Sequence, residues 1–176
     1  MTPQQQPSQP GRTPPTFPDP ASSAPGDTTA RFLNSMASPD PAVRRAASAF
    51  ARRRGAAVIV GLGDLVAHSD NAIAKSAKQA LGEITHYAAR PGAGNEARAV
   101  AAQLLVLANH TARPRAVRAH ALHLLGFVAG DAHVPALARL LADREIGPDA
   151  RMALERIGSS AARRALANAA KQTTGV

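Results

Sequence analysis

The chain has 176 residues, no cysteine, no tryptophan, 3% aromatic residues and a formal net charge of +9, from 21 Lys and Arg against 12 Asp and Glu. That length suits one small domain, no disulfide framework is open to it, and a cysteine-free chain fits a reducing compartment or one indifferent to redox. The start, Met1-Thr2-Pro3-Gln4-Gln5, has neither a basic cluster nor an apolar run, and the longest apolar stretch, 56–65, is interrupted by Gly61, Gly63 and Asp64, so a soluble, cytoplasmic protein is expected.

Residues 1–26 hold eight of the fourteen prolines, together with Gln, Ser and Thr and almost no large apolar side chain. Such a composition buries too little surface to offset the entropy of ordering, so the expectation is a disordered, Pro-rich tail. Within it, Thr13-Pro14-Pro15-Thr16-Phe17-Pro18 has the character of a ligand for an aromatic-lined groove, although a solubilising tail explains the same composition.

A helical domain is expected over 27–172, with 173–176 as a flexible C-terminus. Asp27 is placed to cap a first helix carrying Ala30, Leu33 and Met36, which breaks at Ser38-Pro39-Asp40-Pro41. Asp40 then caps a second helix with Pro41 at its first position, where the missing N–H is not needed. Val43, Ala47, Phe50 and Ala51 are expected to face inward along it, and Gly55 to stop it after Arg54. A third helix carries Val58, Leu62, Leu65 and Val66. Asp70 caps a fourth, with Ile73, Ala77, Ala80, Leu81 and Ile84 inside, up to the Pro-Gly loop that begins at Arg90. Val100, Leu104 and Leu107 mark a fifth.

Residues 117–143 read as two amphipathic helices joined at Gly130-Asp131. Val117, Ala121, Leu124 and Leu125 recur at i, i+4, i+7 and i+8, and Val134, Leu137, Ala138 and Leu141 do so in the next segment. Gly130 is expected in the left-handed conformation that closes the first helix, and Asp131 to cap the second, with Pro135 harmless in its first turn. Pro148 opens an eighth helix with Ala153 and Ile157, and Ser159 or Ser160 caps a ninth with Ala162, Leu166 and Ala169.

Val117-Arg118, Ala121, Leu124-Leu125-Gly126, Gly130-Asp131 and Val134-Pro135-Ala136-Leu137 together resemble the HEAT-like repeats typified by phycobilisome lyase subunits. The phrase recurs in weaker form. Superposing Val43, Ile73, Val117 and Asp149 aligns Ala47, Ala77, Ala121 and Ala153, then Ala51, Leu81, Leu125 and Ile157, with offsets of 30, 44 and 32 residues. Gly82, Gly126 and Gly158 share a column, which points to close helix contact there, since glycine inside a helix costs about 1 kcal/mol relative to alanine. The resemblance implies an all-α fold, a short right-handed α-solenoid of about four HEAT-like helix pairs, about nine helices in all. It places the Val-Arg helices on the inner, concave side.

Charge is the clue that reaches past the fold. The tail holds Arg12 and Asp19, so the other 20 basic and 11 acidic residues, and the whole net charge, fall from Asp27 onward. Two positions after the first core residue of each inner helix, about 200 degrees from the apolar stripe, stand Arg45, Lys75, Ala119 and Arg151. Lys78, Arg115 and Arg118 are expected on the same polar side, so Arg45, Lys75, Lys78, Arg115, Arg118 and Arg151 are the candidate partner-binding residues. A solvated face accounts for the same charge, because 18 of the 21 basic residues are Arg and an alanine-rich helix needs them for solubility. In the resembled family some arginines pair with turn aspartates, as Arg44 and Asp40 would here.

The expected function is a non-enzymatic protein-binding scaffold or adaptor with an acidic protein partner, and the alternative is binding of nucleic acid or another polyanion through the basic stripe. Phe32, Phe50 and Phe127 are expected in the core, which leaves few stacking platforms for bases. HEAT-like DNA glycosylases use aromatic and acidic groove residues that nothing here matches. His120, His123 and His133 with Asp131 outline a metal site on paper, yet an i, i+3 His pair alone is a weak signal, and the His-Glu dipeptides of the HEAT-like hydroxylases do not occur here. No metal, cofactor or catalytic residue is therefore expected. Asp143 and Glu145 sit in a turn where N-capping explains them, and a bilin lyase-like subunit rests on the resemblance alone.

Overall fold

The computed structural model describes residues 25–174. Apart from Pro25 and Gly26, the Pro-rich segment expected over 1–26 lies outside the described residues, as do residues 175 and 176. Among the described residues the chain is all-helical: α1 Pro25–Met36, α2 Pro41–Ser48, α3 Ala51–Arg54, α4 Ile59–Val66, α5 Asn71–Ala88, α6 Gly94–Asn109, α7 Arg115–Val128, α8 Val134–Leu140, α9 Gly147–Ile157 and α10 Ser160–Thr174. Short 3-10 turns, Gly55–Val58 and Asp131–His133, lead into α4 and α8.

Local chemistry sets most of these boundaries. Asp40 accepts from the Ala42 N–H at 2.8 Å and Pro41 occupies the first turn of α2. Asp70 accepts from Ala72 at 2.7 Å, with Ile73 at 3.4 Å, at the start of α5. At α10, Ser159 Oγ accepts from Ala162 at 3.2 Å. Each carboxylate or hydroxyl satisfies a donor that a helix start leaves orphaned.

Packing is between neighbours in sequence and between alternate helices. α1 lies on α2, α4 on α5, α6 on α7 and α8 on α9. α5 in turn packs between α3 and α7, α7 reaches α9, and on the other side α4 meets α6 and α8 meets α10. Met36, Leu62, Leu81, Leu104, Leu125, Leu137 and Leu154, from seven different helices, are all fully buried in one continuous core.

Several expectations are corrected. The segment expected as one helix from Pro41 to Arg54 breaks at Ala49-Phe50, leaving Phe50 half-exposed rather than in the core. Val43 is exposed too, and its neighbour Arg44 is buried in its place. Val43 lies on the first of the four aligned helices, whereas the equivalent Ile73 and Val117 lie on helices packed from both sides and are buried. Phe127 projects outward from α7. On α8 the inward positions are Val134, Leu137 and Leu140, with Leu141 only partly covered.

Gly130 does not adopt the left-handed conformation: φ is −123° and ψ −169°, and α7 ends instead on extended Ala129, whose N–H donates to Leu125 at 2.8 Å. Asp131 caps nothing through its side chain; His133 Nδ1 accepts from the Gly130 N–H at 3.2 Å and closes that turn. The shared glycine column is three different situations. A methyl at Gly82 would meet open space, one at Gly126 would press on Arg156 of α9, and Gly158 has φ +62° and ends α9 as a left-handed cap.

Candidate interaction surface

The candidate residues fall on the solvent-exposed side of α2–α3, α5, α7 and α9. On α5, Lys75, the Lys78-Gln79 pair, Glu83 and the His86-Tyr87 pair recur every three to four residues, which puts them on one broad ridge. Arg115, Ala119, His123 and Phe127 form the matching ridge of α7, and Arg151, Met152, Glu155 and Arg156 that of α9. All but Gln79, Glu83, Ala119 and Glu155 among these are cationic, histidine, aromatic or methionine.

The six sequence-derived residues separate into three groups. Arg45, Lys75, Lys78 and Arg151 are exposed, and no carboxylate lies within ion-pair distance of them among the described residues. Arg115 is exposed but engaged: Nη2 donates to Asp149 Oδ2 at 3.0 Å and Nε to the Glu145 carbonyl at 2.9 Å. Arg118 is not on the surface at all, being 3% exposed. Its Nε donates to the Ala108 carbonyl at 2.9 Å, Nη2 to Asp143 Oδ2 at 2.6 Å and Nη1 to Glu145 Oε2 at 3.3 Å. The cost of burying a guanidinium is offset only when its donors are met in this way, so Arg118 is a structural tie between α6, α7 and the loop before α9.

Asp143 has a double role there. While Oδ2 holds Arg118, Oδ1 accepts from the N–H groups of Glu145 and Ile146 at 2.9 and 3.3 Å. Arg118 first, and then these backbone donors, hold its carboxyl below the usual carboxylate range. Arg44, one place after Val43 as Arg118 is after Val117, also points into a loop, but not to Asp40: Nη1 donates to the Ser38 and Pro39 carbonyls at 2.6 and 2.9 Å. Arg113, just before α7, pairs with Asp64 of α4.

Acidic groups interleave with the cations. Glu83 lies between α2 and α5, accepting from Gln79 Nε2 at 3.0 Å, and it shares the walls of two adjoining hollows. One, about 350 Å³, is lined by Arg45, Ser48 and Ser76; the other, about 620 Å³, by Arg52, His86 and Tyr87. Glu155 is exposed on α9.

Sequence reasoning missed the aromatic half of this face. Tyr87 and Phe127 are each 40% exposed. The Arg90 guanidinium lies 3.9 Å from the Tyr87 ring centroid, with Arg52 at 5.8 Å, and Arg156 lies 4.3 Å from that of Phe127. His86 and His123 meet the Phe127 ring edge to face at 4.9 and 5.5 Å. The signal was present: Phe127 is two residues after Leu125, the same offset of about 200 degrees that put Arg45 outside the apolar stripe.

His120 and His123 stack at 6.5 Å, whereas His133 is committed to its own turn. Among the described residues no three His, Asp or Glu side chains gather as a metal site would require. No helix there is long and apolar enough to cross a membrane. Neither the scan against protein-family models nor the search of curated proteins finds a match for this chain.

Proposed function

We propose that this chain is a non-enzymatic protein-binding scaffold or adaptor, a short right-handed array of about four HEAT-like helix pairs acting in the cytoplasm, whose inner face receives an acidic segment of a protein partner. The observation that carries the reading is the pairing of exposed Tyr87 on α5 and Phe127 on α7 with the guanidinium groups of Arg90 and Arg156, on a face where α2, α5 and α9 present Arg45, Lys75, Lys78 and Arg151. Aromatic and arginine side chains dominate the binding energy of protein interfaces, and rings already braced by guanidinium groups lose little freedom on contact. The cations supply attraction for an acidic segment and set its orientation. No cofactor enters this reading.

Nucleic acid is the second reading, favoured by the four unpaired cations, but Glu83 and Glu155 among them oppose a continuous phosphate track. A lyase-like enzyme subunit has only the sequence resemblance behind it. The test begins with capture of partners from the native cell and measurement of binding to the purified partner. Changing Arg45, Lys75 and Arg151 together to Glu is expected to abolish binding while the helical circular dichroism is kept. Tyr87→Ala with Phe127→Ala is expected to weaken it by about 2 kcal/mol or more. Binding that survives excess duplex DNA fits a protein partner, whereas competition by DNA with a log-log salt slope near about −0.9 per phosphate favours the second reading. A charge-reversed triple variant with wild-type affinity places the contact on another face.

A further inference from the structure

The N-terminal end of the helical array carries an apolar groove that the inner-face reading does not use. It runs between α1 and α2–α3, holds about 370 Å³, and is walled by Phe32, Val43, Ala47 and Phe50, with Arg31 and Arg54 beside them. Val43 and Phe50 are 39% and 52% exposed, although both are large apolar side chains. Arg54 lies over the Phe32 ring at 5.8 Å and Arg53 over that of Phe50 at 5.9 Å, so two aromatic rings with cationic neighbours form a slot. In a stacked array the terminal unit lacks the neighbour that covers every other one, and its open edge needs a cover.

We infer that this slot is the intramolecular seat of Thr13-Pro14-Pro15-Thr16-Phe17-Pro18, which folds back along α1 with Phe17 between Phe32 and Phe50. The reach is sufficient. Phe17 precedes Pro25, the first residue of α1, by eight residues, which extended chain turns into up to about 26 Å. From Pro25 to Ser35 at the far wall of the groove, α1 itself rises only about 15 Å. Apart from Met1, Phe17 is the one large apolar side chain in residues 1–24, so the segment around it is the part of the tail with surface to bury. Proline restricts the backbone and needs no internal hydrogen bonds in extended form, which lowers the entropy lost when a Pro-rich segment docks against aromatic rings. Asp19, the single acidic residue of residues 1–24, follows Phe17 by two positions, and Arg54 at the groove offers it an opposite charge. A tether of this length keeps the local concentration near the millimolar range, so a seat with weak intrinsic affinity is still filled.

The chain has no tryptophan, so Phe17→Trp makes a single fluorescent reporter in the full-length protein. Its emission is expected to shift to shorter wavelength, and acrylamide quenching to fall severalfold, relative to a free peptide of residues 10–24 carrying the same change. Phe50→Asp and, separately, Val43→Asp return both readings to the peptide values. Both positions are half-open, and circular dichroism checks that the fold is kept. Val106→Asp, at an exposed apolar position on α6, leaves the signal unchanged. A reporter that matches the free peptide in the full chain, or that ignores both groove variants, overturns the proposal. So does protection that disappears on dilution together with a dimer in sedimentation, because the groove is then filled by a second copy.

Discussion

His120 shows how one buried atom turns into a pH dependence. It sits half-buried on α7 with Nε2 enclosed and no well-formed hydrogen bond to it among the described residues, the Lys78 backbone offsetting its burial only weakly. Burial first, then the nearby charges of Lys78 and His123, hold its pKa below the ordinary 6.5. The native state therefore binds this proton less readily than the unfolded chain. Its contribution to stability is complete above the ordinary value and is lost as pH falls through the depressed one. Thermal melts from about pH 7.5 to about pH 5 are expected to show a decline that is shallower in His120→Gln, and equal slopes would remove His120 as the cause. Arg118 is the second residue-scale case. Arg118→Ala leaves Asp143 and the Ala108 carbonyl without their partner and is expected to cost about 3 kcal/mol in denaturant unfolding. Arg45→Ala, at an exposed position without an ion pair, should stay within about 0.5 kcal/mol of wild type.

At the scale of elements, the three aligned glycines give opposite expectations for one substitution. Gly82→Ala adds a methyl into open space in the middle of α5 and should stabilise by about 0.5 to 1 kcal/mol, through helix propensity and a smaller unfolded-state entropy. Gly126→Ala drives its methyl to 2.9 Å from Arg156 Cδ, so the gain shrinks or reverses as Arg156 leaves the Phe127 ring. Paired denaturant melts decide between them. Leu125→Ala, in the fully buried centre of α7, should cost about 2 to 5 kcal/mol, and a loss under about 1 kcal/mol would be inconsistent with that burial. Helix positions and the caps at Asp40, Asp70 and Ser159 were legible in the sequence because spacing and capping are local chemistry. What each helix face touches was less so. Val43 and Ile73 read identically and differ because one helix is flanked on one side only. Arg118 reads as a surface residue because a charged residue counts as polar in any periodicity, and its partners lie 10 to 27 positions away. The exposure of Phe127 was readable from its offset to Leu125, but residue type alone points a phenylalanine to the core.

For the whole molecule, the uneven distribution of arginine ties has a consequence in time rather than in energy. Arg118 fastens α7 to the end of α6 and to the loop before α9, but the equivalent position on α5 is Ala74 and on α9 is Ala150. Among the described residues, Arg113 and Asp64, whose carboxylate is largely exposed, form an ion pair between the α4–α5 and α6–α7 pairs. Packed helices part according to the strength of the contacts between them, and local opening sets how fast a buried amide exchanges its proton with water. Deuterium should therefore enter α1–α3 first, from the end with a single neighbour, while the amides of α7 wait for the opening of most of the molecule. The Glu145 and Ile146 amides, in a loop but bonded to Asp143, should exchange on the slow clock of α7 rather than on that of the surface.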